Sequence, residues 1–521
     1  MRFLKIICIW IASLGYTNGQ SSIKCSLSEM ISRAFNINPL LQRSDLQIKD
    51  AEANFQIQRS IFDYNSFARL SSNSSRDNLL EGDPRNLHLN NALKSRAFDF
   101  SSGLNKRLRS GQLAEISLNY GYNSSNFPFN NFNQNVGPFL GNNFSTINYS
   151  LTQPLLRGKG RNIVTISERT SLLYLDNAKK NNEFVNSSQI LQIGIAYWNY
   201  YLATKNLEIY NQNEARVRKV LEITKELVKA DKKPQSDLIL VNADLANQEK
   251  LTFLAEQNLY QSKISLGREV GLSNEESLLL EVPSNQFPTI LESKYQNNLD
   301  KEFYIKTAKG KRADLRALGI LTDAVEMQYK LAENNMKPQL DISGFVFHGS
   351  VSTGAGIGET FSSFTNNQGN NFGLGARLTF TFPTNNNLAK GNLAKSYIAI
   401  KDQKVNVENF NRNIELNISI ALNNLHNSVL VVEKAKEALD NYKEAFLNEQ
   451  EKFQTGLTTI LNLILFQDRL TTAELQYLSA YQQFANSIVI LRHETGTLVN
   501  QENNGFSVDI KAFNTIPNSE N

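Results

Sequence analysis

The stretch LILFQDRLTTAELQYLSAYQQFANSIVILRHETG, residues 463–496, decides how this chain is read. Its Leu463, Phe466, Leu470, Ala473, Tyr477, Ala480, Phe484, Ser487 and Leu491 fall alternately three and four residues apart, the seam of a coiled-coil helix. The same spacing occurs 225 residues earlier, at Leu238, Val241, Leu245, Gln248, Thr252, Ala255, Leu259, Ser262 and Leu266. Laid over one another without a gap, 238–271 and 463–496 share eleven identities in 34 positions, among them Leu245/Leu470, Ala255/Ala480, Glu269/Glu494 and Gly271/Gly496. The chain reads as an internal duplication, with chance likeness between two helices of similar composition as the alternative.

A longer helix precedes each seamed one. Residues 162–229 and 386–453 are both 68 residues without a proline and with one glycine each, Gly194 and Gly391. Unbroken, such a helix reaches roughly 100 Å at ~1.5 Å per residue. A globular core cannot cover that length, so each must lie along other helices. The N-terminal helix expected at 26–60 and the seamed helix at 236–270 have 35 residues each, so end to end they match one long helix.

Between the helical blocks the composition changes. Residues 116–156 carry no charged side chain and ten asparagines, and 342–389 carry only Glu359 and Arg377. Ile147, Tyr149 and Leu151 alternate with Asn148, Ser150 and Thr152. Leu374, Ala376, Leu378, Phe380 and Phe382 likewise alternate with Gly375, Arg377, Thr379 and Thr381. Period two with aromatic and aliphatic residues on one side predicts strands with one oily and one wet face. Weaker strands are expected at 66–75 and 342–351, and an extra hairpin at 104–122 turning at Arg109-Ser110-Gly111, while 123–143 and 353–371 read as polar loops. Weak alternation with long polar loops suits outer-membrane strands; a soluble β-sandwich is the alternative, but it would not need adjoining 68-residue helices.

Composition excludes several other classes. The 521 residues include two cysteines and four histidines, too few for a disulfide framework or a zinc module. A net charge of +4, dispersed along the chain, does not point to nucleic acid. No Ser/His/Asp set or carboxylate pair stands out, so no enzyme, catalytic residue, cofactor or metal site is expected. Gly354-Ala355-Gly356-Ile357-Gly358-Glu359-Thr360 lacks the lysine of a phosphate loop and reads as a flexible link. Residues 1–19, with Arg2 and Lys5 before an apolar run, are expected to be a secretory signal rather than a membrane anchor. Cys25 is expected to be a free, inert thiol. An exported chain without later transmembrane helices can span a membrane only with strands, and the two strong strands per half, about four per chain, cannot close around a lumen. Several copies must share the barrel; three give about twelve strands.

At this point the residues resemble the TolC-like outer membrane efflux proteins. The likeness runs through Ser26-Leu27-Ser28-Glu29, Asn38-Pro39, Leu151-Thr152-Gln153-Pro154-Leu155-Leu156-Arg157-Gly158, Ala313-Asp314-Leu315-Arg316 and Phe453-Gln454-Thr455-Gly456 with Ile460 and the closing Gly496. The resemblance implies a homotrimer with a 12-stranded barrel in outer-membrane lipid, continued by a periplasmic helical coiled-coil barrel, in a Gram-negative-type bacterium. It also implies docking to a periplasmic adaptor and an inner-membrane pump or ABC exporter. The segments are then 1–19 signal, 20–61 N-terminal helix, 62–157 first β segment, 158–271 first helical hairpin, 272–311 equatorial region, 312–337 helix, 338–384 second β segment, 385–498 second helical hairpin and 499–521 a mostly flexible tail. Pro154, Gly158 and Pro383 mark the strand–helix links. The periplasmic tip and gate is expected at Asp237, Gly456, Asn462 and Leu465, with Lys232, Lys233, Thr455 and Gly456 facing an adaptor. Members of the family carry aspartates where this chain has Asn462 and Leu465, which puts an acidic ring at those positions in doubt. The expected activity is passive conduction; a non-conducting envelope tether and a porin with helical additions are the alternatives.

Overall fold

A computed structural model describes residues 22–89, 91–126, 141–291, 293–295, 299–354, 357–365, 371–502 and 505–517. The expected signal segment lies outside them, as do Ala355 and Gly356 and residues 127–140 of the first polar loop. In chain order the elements are α1 (Leu27–Ile37), α2 (Pro39–Arg59), β1 (Tyr64–Asn78), α3 (Asn86–Leu89), β2 (Ala92–Arg107), β3 (Leu113–Ser125), β4 (Asn142–Pro154), α4 (Arg161–Val164), α5 (Ile166–Lys229) and α6 (Gln235–Val270). They continue with α7 (Asn274–Leu278), α8 (Lys301–Lys311), α9 (Ala313–Asn335), β5 (Gln339–Thr353), α10 (Ile357–Thr365), β6 (Asn371–Thr381), α11 (Asn387–Gln454), α12 (Ile460–Glu494), β7 (Asn500–Glu502) and β8 (Gly505–Ser507). The chain divides into two compact units, one of residues 1–47, 179–316 and 408–521, the other of 48–178 and 317–407.

The first unit is helical, and its cores follow the seams. Every seam position of α6 and α12 is buried or half-buried. The identities shared by the two halves mark a repeated joint. Gly271 (φ +95°) and Gly496 (φ +67°) take up left-handed backbone just beyond α6 and α12, so that the N–H of Leu272 donates to the Gly267 carbonyl and that of Thr497 to the Arg492 carbonyl, each 2.8 Å. A Cβ on Gly271 would stand 2.8 Å from Asn38 Cα, and one on Gly496 2.9 Å from the Arg312 nitrogen. Asn38 and Arg312 break the α1/α2 and α8/α9 pairs, so the helix expected at 26–60 is two. Asn38 Nδ2 donates to the Glu269 carbonyl at 2.7 Å, and Arg312 Nη1 to the Glu494 carbonyl at 3.0 Å. Both halves thus make the same joint with different side chains.

Over residues 499–502 and 505–517 the chain is packed where a mostly flexible tail is expected. Strands β7 and β8 pair antiparallel, and Phe513 is fully buried in a core that also holds Cys25, Leu27, Met30, Tyr197, Trp198 and Val489. Gly194, the single glycine of its long helix, makes that seat: a Cβ there would lie 2.8 Å from the Phe513 ring. Cys25 is a free buried cysteine, as expected, and burial pushes its thiol up to about 12.

The second unit holds the sheet, in which β1 to β6 lie in sequence order with each neighbour antiparallel. Among the described residues the sheet has six strands, where about four are expected. The added pair is β2–β3, the hairpin expected at 104–122 but much longer. Lys94, Arg96, Asp99, Lys106 and Glu115 within it hide it from any search for charge-poor segments. The register places Leu104, Ile116, Tyr149, Val346 and Leu374 across one face. On the other face serine, threonine and asparagine predominate, and Phe67, Phe144, Phe345 and Phe347 stand directly opposite Gly103, Gly121, Gly375 and Gly373. Each ring fills the space its cross-strand glycine leaves. Within the loop expected at 353–371, α10 packs on β4 and β5; the hydroxyls of Ser145 and Ser350 both donate to the Ser363 carbonyl.

Candidate functional site

Two helix turns in the helical unit meet at the predicted tip. After α5 the chain reverses through Asp231 in left-handed backbone (φ +52°), and the Lys232 N–H closes on the Leu227 carbonyl at 2.9 Å. After α11 it reverses through Gly456 (φ +77°), and the Leu457 N–H closes on the Lys452 carbonyl, also at 2.9 Å. Lys233 ties the turns together: its Nζ donates to the Thr458 carbonyl at 3.1 Å and stands 5.1 Å from the centre of the Phe453 ring. The Thr458 hydroxyl donates to Glu449, and Thr459 caps α12 by accepting from the Asn462 N–H at 3.3 Å.

Of the expected site residues, Asp237 sits half-buried in the first turn of α6, where a carboxylate suits the positive end of the helix. Leu465 is partly exposed on α12, and Asn462 bonds to both threonines before it. Lys232 and Thr455 are exposed, the Thr455 hydroxyl donating back to the carbonyls of Glu451 and Lys452. Lys233 is the one whose surroundings differ from the expectation, being half-buried and engaged in the clasp.

Beyond the turns lies a polar ladder that the seam pattern alone does not reveal. Asn213 Nδ2 donates to Gln248 Oε1 at 2.8 Å, and Gln467 Nε2 to Asn213 Oδ1 at 2.8 Å. Gln248 Nε2 in turn reaches Asp244 Oδ1 at 3.1 Å and Asp468 Oδ1 at 3.3 Å. Arg216 Nη2 joins the first hairpin to the second through Glu474 at 3.1 Å and Thr471 at 3.3 Å. Partial burial lifts Asp244 above the usual carboxylate range. Asp468, whose outer side is exposed, is lifted by its packed end and by the charge of Asp244. The one sequence signal of this ladder is glutamine at a seam position. Among the described residues no group of three or more His, Cys, Asp or Glu is placed to hold a metal ion.

In the sheet unit, the strand–helix link is built on Pro154 and two glycines. Pro154 ends β4 opposite Asp341. Gly158 (φ +75°) donates its N–H to Asn334 Oδ1 at 2.8 Å, and Gly160 (φ +88°) precedes α4. The second link passes exposed Pro383 to Asn386 (φ +46°), whose Nδ2 donates to the Met336 carbonyl at 3.3 Å.

The crystal structure of the Campylobacter jejuni CmeC outer membrane channel superimposes on this chain with a TM-score of 0.64, at 15% identity, covering 90% of this chain and 85% of CmeC. The chain has the TolC-like fold. The outer membrane protein VceC of Vibrio cholerae gives a TM-score of 0.64 at 14% identity, over 90% of this chain and 96% of VceC. In sequence, the outer membrane protein TolC of Vibrio cholerae is 23% identical over 346 residues, 64% of this chain and 75% of that protein. No family model matches the chain. Among the described residues no helix is long and apolar enough to cross a membrane.

Proposed function

We propose that this protein is the passive outer-membrane exit duct of a tripartite efflux or type I secretion system, closed at its helical tip until a periplasmic adaptor and an inner-membrane pump or ABC exporter engage it. The observation that carries this reading is the sheet, which has one apolar face, one polar face and two edges left unpaired among the described residues. In lipid an open edge leaves unpaired backbone groups at several kcal/mol each, so the sheet is stable only when copies close it around a lumen. The clasp of Lys233 on Thr458 and the Arg216–Glu474 pair hold the two hairpins of one chain together at the tip. Opening separates those hairpins, and the drive comes from partners binding the open arrangement more tightly. Asp237, Gly456, Asn462 and Leu465 line or shape the gate, and Lys232, Thr455 and Gly456 are the adaptor-facing part of the turns.

Single-channel recording in planar lipid bilayers tests the reading. The unaltered protein is expected to show a small steady conductance, and the double variant Lys233→Ala with Arg216→Ala a larger one at unchanged copy number. Equal, large conductance from both would make the protein an open porin; none from either would make it a tether.

A further inference from the structure

The hairpin β2–β3 is a full spanning pair within the sheet. It pairs with β1 from Tyr64↔Lys106 to Asn78↔Ala92, and β3 pairs with β4 from Leu113↔Thr152 to Asn123↔Asn142, the same rows over which β4 and β5 pair. Its turn lies at the end of the sheet where the helices begin and is anchored there: Arg109 forks onto Glu168 at 2.9 and 2.6 Å, and the Gly160 N–H donates to the Ser110 carbonyl at 3.1 Å. The hairpin also keeps the two-faced pattern. Phe98, Phe100, Leu104, Ile116 and Leu118 share the apolar face, and Asp99, Ser101, Asn105, Glu115 and Asn119 the polar one. Both outer edges of the sheet, on β1 and β6, are unpaired among the described residues, and both strands are exposed along nearly their whole length. Six is an even number, so β6 of one copy runs antiparallel to β1 of the next when the sheet closes.

We infer that β1 of one copy pairs with β6 of a second, and that three copies close an 18-stranded barrel rather than a 12-stranded one. This rests on the three-copy duct proposed above. At a strand spacing of ~4.8 Å and a tilt near 40°, twelve strands enclose a backbone radius of about 12 Å and eighteen about 18 Å. Barrels of 16 to 18 strands leave a water-filled channel. The outer-membrane segment is therefore about 1.5-fold wider than a 12-stranded one. Lined mainly by hydroxyls and carboxamides, with Asp99, Glu115 and the rings of Phe67, Phe144, Phe345 and Phe347 among them, it suits hydrated, polymer-sized cargo.

Electron cryo-microscopy of the full chain in lipid nanodiscs, with native mass spectrometry of the same sample, tests the inference. The expected result is three copies around 18 strands, with β6 hydrogen-bonded to β1 of the adjoining copy. Three copies around 12 strands, with β2–β3 folded outside the wall, would overturn the inference and leave the duct standing, as would two copies closing 12 strands of six each. A sheet that closes around no lumen would overturn the duct as well.

Discussion

Gln248 occupies a seam position where an apolar side chain is the rule, and it is 2% exposed. Its oxygen accepts from Asn213 and its amide donates toward Asp244 and Asp468, so one side chain serves three helices. Replacement by leucine keeps the volume but strips partners from buried groups, which costs about 1–3 kcal/mol; urea denaturation of Gln248→Leu should show that loss without a change in slope. The carboxylates add a pH dependence. Both are lifted in the folded state, so folding favours their protonated forms, and that preference is complete below the ordinary aspartate value of about 4. Rising pH withdraws it until the lifted folded values are passed. The helix pair around this ladder should be more stable toward acid than toward neutral pH over that window, and Asp468→Asn should flatten the profile of thermal stability measured from pH 4 to 7. Gln248 was visible as an odd seam residue; Asn213 and Arg216 were not, because in a 64-residue helix only the neighbours decide which polar side chain faces inward.

At the scale of elements, turns and links carry the design, and their glycines differ in kind. Gly456 has positive φ and open space around its Cβ position, so Gly456→Ala should cost only the backbone strain, about 1–2 kcal/mol. Gly111 also has positive φ (+100°), but there a Cβ would lie 2.5 Å from the Gly158 carbonyl oxygen. Gly111→Ala should therefore destabilise by more than Gly456→Ala and displace the β2–β3 turn from the link. Comparing the denaturation midpoints of the two variants checks the order; equal losses would mean the close approach is not maintained. The long helices, the seams and the stronger strands were legible because each repeats its own period over many residues. The β2–β3 hairpin was only partly so: β3 lies mostly in the uncharged segment, whereas β2 carries charges at both ends.

For the molecule as a whole, the core around Phe513 matters because it gathers distant parts of the chain. Ile23 and Leu27 come from the start, Tyr197 and Trp198 from α5, Val270 from the end of α6, and Leu498 and Phe513 from beyond α12. Phe513→Ala should cost about 3–5 kcal/mol, read as a lower thermal midpoint, and removal of residues 509–521 should cost at least as much. A chain whose tail can be removed without loss would show that the tail merely lies on this core.

What the residues determined unaided was local and periodic: the seams, the duplication, the helix-ending glycines and the alternation of β4 and β6. These follow from 3.6-residue and two-residue repeats, which any stretch expresses within its own length. Tertiary structure alone decided that six strands share the sheet, that Lys233 clasps Thr458 and that Gly194 exists to seat Phe513. In each case the partner lies far along the chain, and a contact between remote residues is set by the packing that brings them together, not by the pattern around either one.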